Sequence, residues 1–125
     1  MSSNSGPGYK KNPEHRITVE PVKERVKVTF DGETIVDTTS ALRLREGNYP
    51  PVYYVPRKDT KMERLIRTEH HTYCPFKGDA SYFTLSNKHT AENAVWTYEK
   101  PYDEVVVIQD HLAFYPDRVD SITAD

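Results

Sequence analysis

The sequence predicts a mainly β domain of two packed antiparallel sheets with one or two short helical turns. Three observations carry that prediction. Short apolar runs of period two recur along the chain, as half-buried strands require. Turn residues separate those runs at close spacing, most clearly Asp31-Gly32 and Ser86-Asn87-Lys88. The one-sided helical pattern at residues 60–67 lasts only about two turns.

Taken in order, residues 1–14 read as a disordered tail, because the Ser, Gly and Lys of the first eleven positions offer no apolar period to offset the entropy of ordering. Residues 15–125 read as one domain. Residues 15–21 alternate through Ile17, Val19 and Pro21, with Pro21 suited to an edge. Residues 25–30 alternate through Val26, Val28 and Phe30 before Asp31-Gly32 and the run Thr34-Ile35-Val36. Asp-Gly supplies the positive φ of a type I′ turn, so this is the strongest hairpin signal in the chain. Residues 38–45 alternate Leu42 and Leu44 with Arg43 and Arg45, and fit a short strand or one helical turn. Prolines on both sides of Val52-Tyr53-Tyr54-Val55 limit that β-branched and aromatic run to a short strand or edge segment, with Tyr53 or Tyr54 inward.

Asp59 reads as the cap of a short helix over 60–67 that carries Met62, Leu65 and Ile66 on one side. Residues 80–85 form a strand through Tyr82 and Thr84 or through Phe83 and Leu85. Residues 90–98 form its hairpin partner, with Ala94, Trp96 and Tyr98 on one face. Residues 101–108 fit a helical turn as well as a strand, and Leu112-Ala113-Phe114-Tyr115 is the last strand, stopped by Pro116. Six or seven short strands result, the pattern of a β-dominated sheet pair.

A chain of 125 residues has the commonest size for a single domain and buries about two-thirds of its unfolded surface without a metal or disulfide. Its 17 basic and 19 acidic side chains, formal charge −2, argue against a nucleic-acid binder and a polybasic membrane surface. A single cysteine forms no internal disulfide and is too few for a zinc site. No apolar run approaches the roughly 18 residues of a membrane span, and no secretory leader pattern opens the chain. The expectation is a cytoplasmic protein without metal or cofactor. Oligomeric state stays open, a dimer included.

The chemistry-bearing stretch is Thr72-Tyr73-Cys74-Pro75-Phe76-Lys77-Gly78-Asp79-Ala80-Ser81-Tyr82. Cys74 is a nucleophile if Lys77, His70 or His71 lower its pKa, or else a small buried side chain. Lys77-Gly78 pairs a cation with a residue that lets backbone approach a ligand, which suits a phosphate or carboxylate. Lys77 and Gly78 are also readable as a plain turn. Tyr54, Tyr82, Trp96 and Tyr98 supply the apolar bodies and polar tips of a pocket wall, or an ordinary β core. Asp59, most simply a cap, has a pocket carboxylate near Lys77 as its second reading. His70 and His71 cannot face one way on a strand and read as surface groups. No paired carboxylates, Ser-His-Asp order or nucleotide fingerprint is present.

Four segments, Tyr53-Tyr54-Val55-Pro56 with Asp59, Cys74-Pro75-Phe76-Lys77-Gly78 with Ala80 and Tyr82, Ala94-Val95-Trp96-Thr97-Tyr98, and Ala113-Phe114-Tyr115, occur in the order of motifs in the domain-of-unknown-function family numbered 427. The resemblance spans about residues 15–120. Phe76 departs from a tyrosine usual at that position. The resemblance implies a tent-like pair of antiparallel sheets, similar to several small-molecule and metal-binding modules but without their zinc cysteines. A family label mentions nucleotidyltransferase, yet the paired acids that hold metal ions in such chemistry are missing. The function expected is a metal-independent site for an anionic small molecule, binding or enzymatic, with Cys74 and Lys77 as catalytic candidates and Tyr54, Asp59, Lys77, Gly78, Trp96 and Tyr98 as ligand contacts. The alternative is a non-catalytic structural or protein-interaction module.

Overall fold

A computed structural model describes residues 4–125. Residues 1–3, part of the expected tail, lie outside the described residues. The fold is mainly β and antiparallel throughout, as expected. Hydrogen bonding divides ten strands into three sheets, ordered β1-β4-β5, β10-β2-β3 and β6-β7-β8-β9. The first holds β1 (Ile17–Pro21), β4 (Leu42–Glu46) and β5 (Val52–Tyr54); the second holds β2 (Val26–Phe30), β3 (Glu33–Thr38) and β10 (Ser121–Ala124). The third holds β6 (Leu65–Cys74), β7 (Gly78–Ser86), β8 (Thr90–Tyr98) and β9 (Leu112–Phe114). Val55 and Leu112 exchange backbone hydrogen bonds of 2.8 Å, which joins β5 to β9. The first and third sheets are thereby one sharply folded sheet, with the second packed against it.

Register explains the two cores. Tyr82 faces Trp96 across β7 and β8, and Trp96 faces Ala113 on β9. With Tyr98 and Ala80 they form one face, which packs on Leu44 and Tyr54 inside the fold of the joined sheet. Phe83, Val95 and Phe114 form the opposite face, which packs with Val26, Val28, Ile35 and Val36 of the second sheet. Both faces of β7 and β8 are therefore apolar, and both of the alternations open for residues 80–85 are used.

The hairpin between β2 and β3 turns at Asp31 and Gly32, with φ of 52° and 76°. The Asp31 carboxylate accepts from the backbone N–H of His89 at 2.7 Å and so ties this turn to the β7–β8 turn. Gly32→Ala places a Cβ in the left-handed region, and nothing lies within 4 Å of that Cβ. The cost is then backbone strain alone, about 1 kcal/mol. Urea denaturation is expected to show that loss with the aromatic cavity described below unaltered.

Two expectations need correction, the helix over residues 60–67 and the tail over residues 4–14, and two readings left open are resolved. Residues 60–67 are not a helix: Met62–Arg64 is a single 3-10 turn and Leu65 opens a ten-residue strand. A two-turn helix has little stability of its own, whereas as a strand Leu65–Arg67 and His71–Cys74 pair with β7 on either side of an irregularity between Arg67 and His71. Residues 38–45 resolve as strand β4, and residues 103–108 as a 3-10 segment that buries Val105 and Ile108 and leaves Val106 and Val107 exposed. Residues 4–14 are placed against the domain. Gly6 N–H donates to Glu104 at 2.9 Å, Gly8 N–H to the Pro75 carbonyl at 3.0 Å, and Gly8–Lys11 forms one helical turn, α1. Composition read this segment as tail because its partners are all distant in sequence.

Candidate functional site

The crease of the folded sheet holds a cavity of about 210 Å³ between β4 and β5 on one side and β7 and β8 on the other. Along β4, Leu42, Leu44 and Glu46 share the inward face by the two-residue period of a strand, and Arg43 and Arg45 point away. The inward row thus ends in a carboxylate. Glu46 and Lys77 both line the cavity, and Lys77 Nζ donates to Glu46 Oε1 at 2.7 Å.

Lys77 stands on the tip of the β6–β7 hairpin, where Cys74 pairs with Gly78 and the intervening residues turn. The pair is mostly shielded, with side-chain exposures of 14% for Lys77 and 16% for Glu46. The second Glu46 oxygen meets His15 Nε2 at 2.8 Å. His15 in turn stacks on the Phe76 ring, centroids 3.8 Å apart, and Tyr9 of α1 packs edge-on against Phe76 at 5.0 Å. Burial pushes the Glu46 carboxyl up, but the hydrogen bond and charge of Lys77, followed by those of His15, outweigh it and leave the group below its ordinary range.

The walls are aromatic. Tyr54 on β5, Tyr82 on β7, Trp96 and Tyr98 on β8 and Tyr115 after β9 all line the cavity, with Tyr49 and Pro50 at the rim. The Trp96 indole N–H donates to the Tyr54 hydroxyl at 3.2 Å, and Tyr82 and Thr72 hydroxyls lie 2.9 Å apart. Tyr115 stacks obliquely on Trp96 at 4.6 Å. Tyr98 is 6% exposed, and among the described residues its hydroxyl has no hydrogen-bond partner. Burial holds both Tyr54 and Tyr98 hydroxyls well above the ordinary tyrosine range, the Trp96 hydrogen bond opposing it at Tyr54 and the neighbouring Tyr54 adding to it at Tyr98. Both are therefore neutral donors. The arrangement presents one cation, one anion and neutral hydroxyls within an apolar wall.

The structure brings Tyr54, Lys77, Trp96 and Tyr98 together as the sequence suggested. It separates Asp59, which lies on a 3-10 turn, accepts from the Thr38 hydroxyl at 2.7 Å and lines another surface cleft with Asp37 and Lys61. Gly78 has φ +116°, and a Cβ there would come within 3.2 Å of the Lys100 carbonyl. The Lys100–Tyr102 backbone thus lies against Gly78, which is not among the residues that line the cavity. Cys74 is half-buried at the foot of the hairpin and is not among the cavity-lining residues. His70 and His71 part as a strand requires: His70 packs on Tyr82 at 4.5 Å, and His71 reaches toward Ser81.

Glu46, His15 and Tyr115 went unrecognised as site residues, while Tyr82, a candidate for pocket wall or core, does line the cavity. Signals for them existed. Glu46 is third in the series Leu42, Leu44, Glu46, and His15 has the parity of Ile17 and Val19. Tyr115 has that of Ala113.

Among the described residues no helix is long and apolar enough to cross a membrane, and no group of three or more His, Cys, Asp or Glu is placed to hold a metal ion. No curated protein matches the chain. The model of the family described as domain of unknown function DUF427 matches residues 18–125, all of the strands but the first residue of β1 and every residue that lines the cavity, with His15 outside the match, and the chain belongs to that family.

Proposed function

We propose that the cavity binds a small anionic molecule, a carboxylate in the first instance, and that this is the protein's function. The observation that supports it is the convergence of Lys77, the unpartnered Tyr98 hydroxyl and the Trp96 ring on one cavity of about 210 Å³. An ammonium has three donors, and Glu46 takes one. A ligand oxygen takes a second from Lys77 and a bond from Tyr98, while its apolar part lies against Trp96 and Tyr115. Recognition uses side chains alone, with no metal, since the Glu46 carboxylate is already committed to Lys77 and His15. Cys74 takes no part. The reading places the protein in the cytoplasm, where its lone thiol stays reduced.

Trp96 is the sole tryptophan and reports occupancy by its emission.

Benzoate is expected to change that emission saturably, benzylamine to leave it unchanged, and Lys77→Met to weaken benzoate at least tenfold, with Cys74→Ser unaltered. Equal response to both compounds, or an undiminished benzoate response in Lys77→Met, overturns the proposal. A second reading, a structural or protein-interaction module, draws on the fact that Glu46 occupies Lys77 while the same hairpin anchors residues 4–15. It predicts that Lys77→Met alters only stability.

A further inference from the structure

Strand β5 has a second cavity on its other face. Val52 and Tyr54 point into the cavity of Lys77, whereas Tyr53 and Val55 line a separate space of about 240 Å³. That space has no charged lining residue. Its far wall is Val26 and Val28 of β2 with Ile122 of β10, and Phe114 closes it. The two cavities meet at the start of β5: Val52 and Trp96 line both, Pro50 lines the polar one and Pro51 the apolar one. Tyr53, which the polar cavity leaves unused, thereby acquires a role.

We infer that these are two subsites for one amphipathic ligand, a carboxylate with an unbranched alkyl tail. The inference rests on the proposed anion site and adds the tail. The head sits at Lys77 under Tyr54, and the chain passes round the end of β5 between Val52 and Trp96 into the space before Val28 and Ile122. The two spaces abut at Val52 and Trp96, which line both, and that adjacency carries the choice of occupant: one molecule that spans both has its polar end and its apolar end on either side of the same two residues. The contrast of linings assigns the ends: the Lys77–Glu46 pair marks one and hydrocarbon alone the other. A tail that leaves water for such a lining gains with every methylene.

The test is a titration of the full chain with butanoate, hexanoate, octanoate and decanoate, read by Trp96 emission. Affinity is expected to rise about fourfold per methylene, the equivalent of ~0.8 kcal/mol each, until the apolar space is filled. Ile122→Phe, on an edge strand and half-buried, narrows that space and is expected to flatten the rise at unchanged butanoate affinity. Pro51→Phe, at an exposed rim position, is expected to do the same should Ile122→Phe fold poorly. A constant affinity across the series, or an unaltered rise in both variants, overturns the two-subsite inference and leaves the anion site standing. Failure of every alkanoate, butanoate included, overturns the anion site and this inference with it.

Discussion

Glu46→Leu is expected to lower the free energy of unfolding by about 2–4 kcal/mol at pH 7, measured by urea denaturation. The variant leaves the Lys77 ammonium with no carboxylate in a shielded site, and removal of one partner of a buried pair costs about 3–5 kcal/mol because the survivor keeps its desolvation penalty. Residual exposure of 14–16% through the cavity places the expected cost toward the low end of that range. Adding Lys77→Met is expected to restore most of the loss, since two apolar side chains of similar volume carry no such penalty. Lys77→Met alone costs less than Glu46→Leu, because Glu46 still has His15 at 2.8 Å. The pH dependence has a definite sign. The folded carboxyl titrates below its ordinary value, so between the two pKa values the unfolded chain binds more protons, and the stabilisation is full above that window and is lost across it as pH falls. The stability gap between wild type and Glu46→Leu is thus full above about pH 5 and closes as pH falls below the ordinary carboxyl range near ~4.3. A gap of constant size down to the acid transition contradicts the ion pair.

The role of Glu46 also shows where sequence reading stops. Elements whose side chains report an inside and an outside were legible: β2 and β3 through Val26, Val28 and Asp31-Gly32, and β8 through Trp96 and Tyr98. Strand β6 was not, because as an edge strand with Glu69, His70, His71, Thr72 and Tyr73 all exposed it has no inside to report. Only Leu65, paired with Leu85, betrays the sheet beneath. Strand β10 has one half-buried residue in four, Ile122, too little for a period. At the site, the aromatic wall was legible since large rings in alternating strands must face inward. The electrostatics were not. Lys77 meets a partner 31 positions away, and a lone glutamate after Leu42 and Leu44 looks like a solvated strand end until the sheet folds over it. Asp59, offered as a pocket carboxylate, sits in another cleft instead, where it accepts from the Thr38 hydroxyl.

Gly78→Ala is expected to be the most damaging small substitution in the hairpin, with a loss of about 2–4 kcal/mol and of the Trp96 response to carboxylates together. At φ +116° the backbone lies where only glycine is unstrained, and a side chain there costs on the order of 1–3 kcal/mol before any contact is counted. The added Cβ also presses to 3.2 Å from the Lys100 carbonyl, with Pro101 at an ordinary 3.6 Å. The carbonyl cannot yield cheaply, because the Tyr102 N–H donates to the Lys77 carbonyl at 3.0 Å and holds the two segments together. Relief of the strain must therefore move Lys77, and a shift of the lysine breaks its 2.7 Å contact with Glu46 and withdraws the cation from the cavity. Gly32→Ala is the control. It meets the same class of backbone strain in open space, far from Lys77, and is expected to cost about 1 kcal/mol without a change in carboxylate affinity. If Gly78→Ala loses stability but binds carboxylates as wild type does, the hairpin tip does not position Lys77, and the anion must be held by other groups.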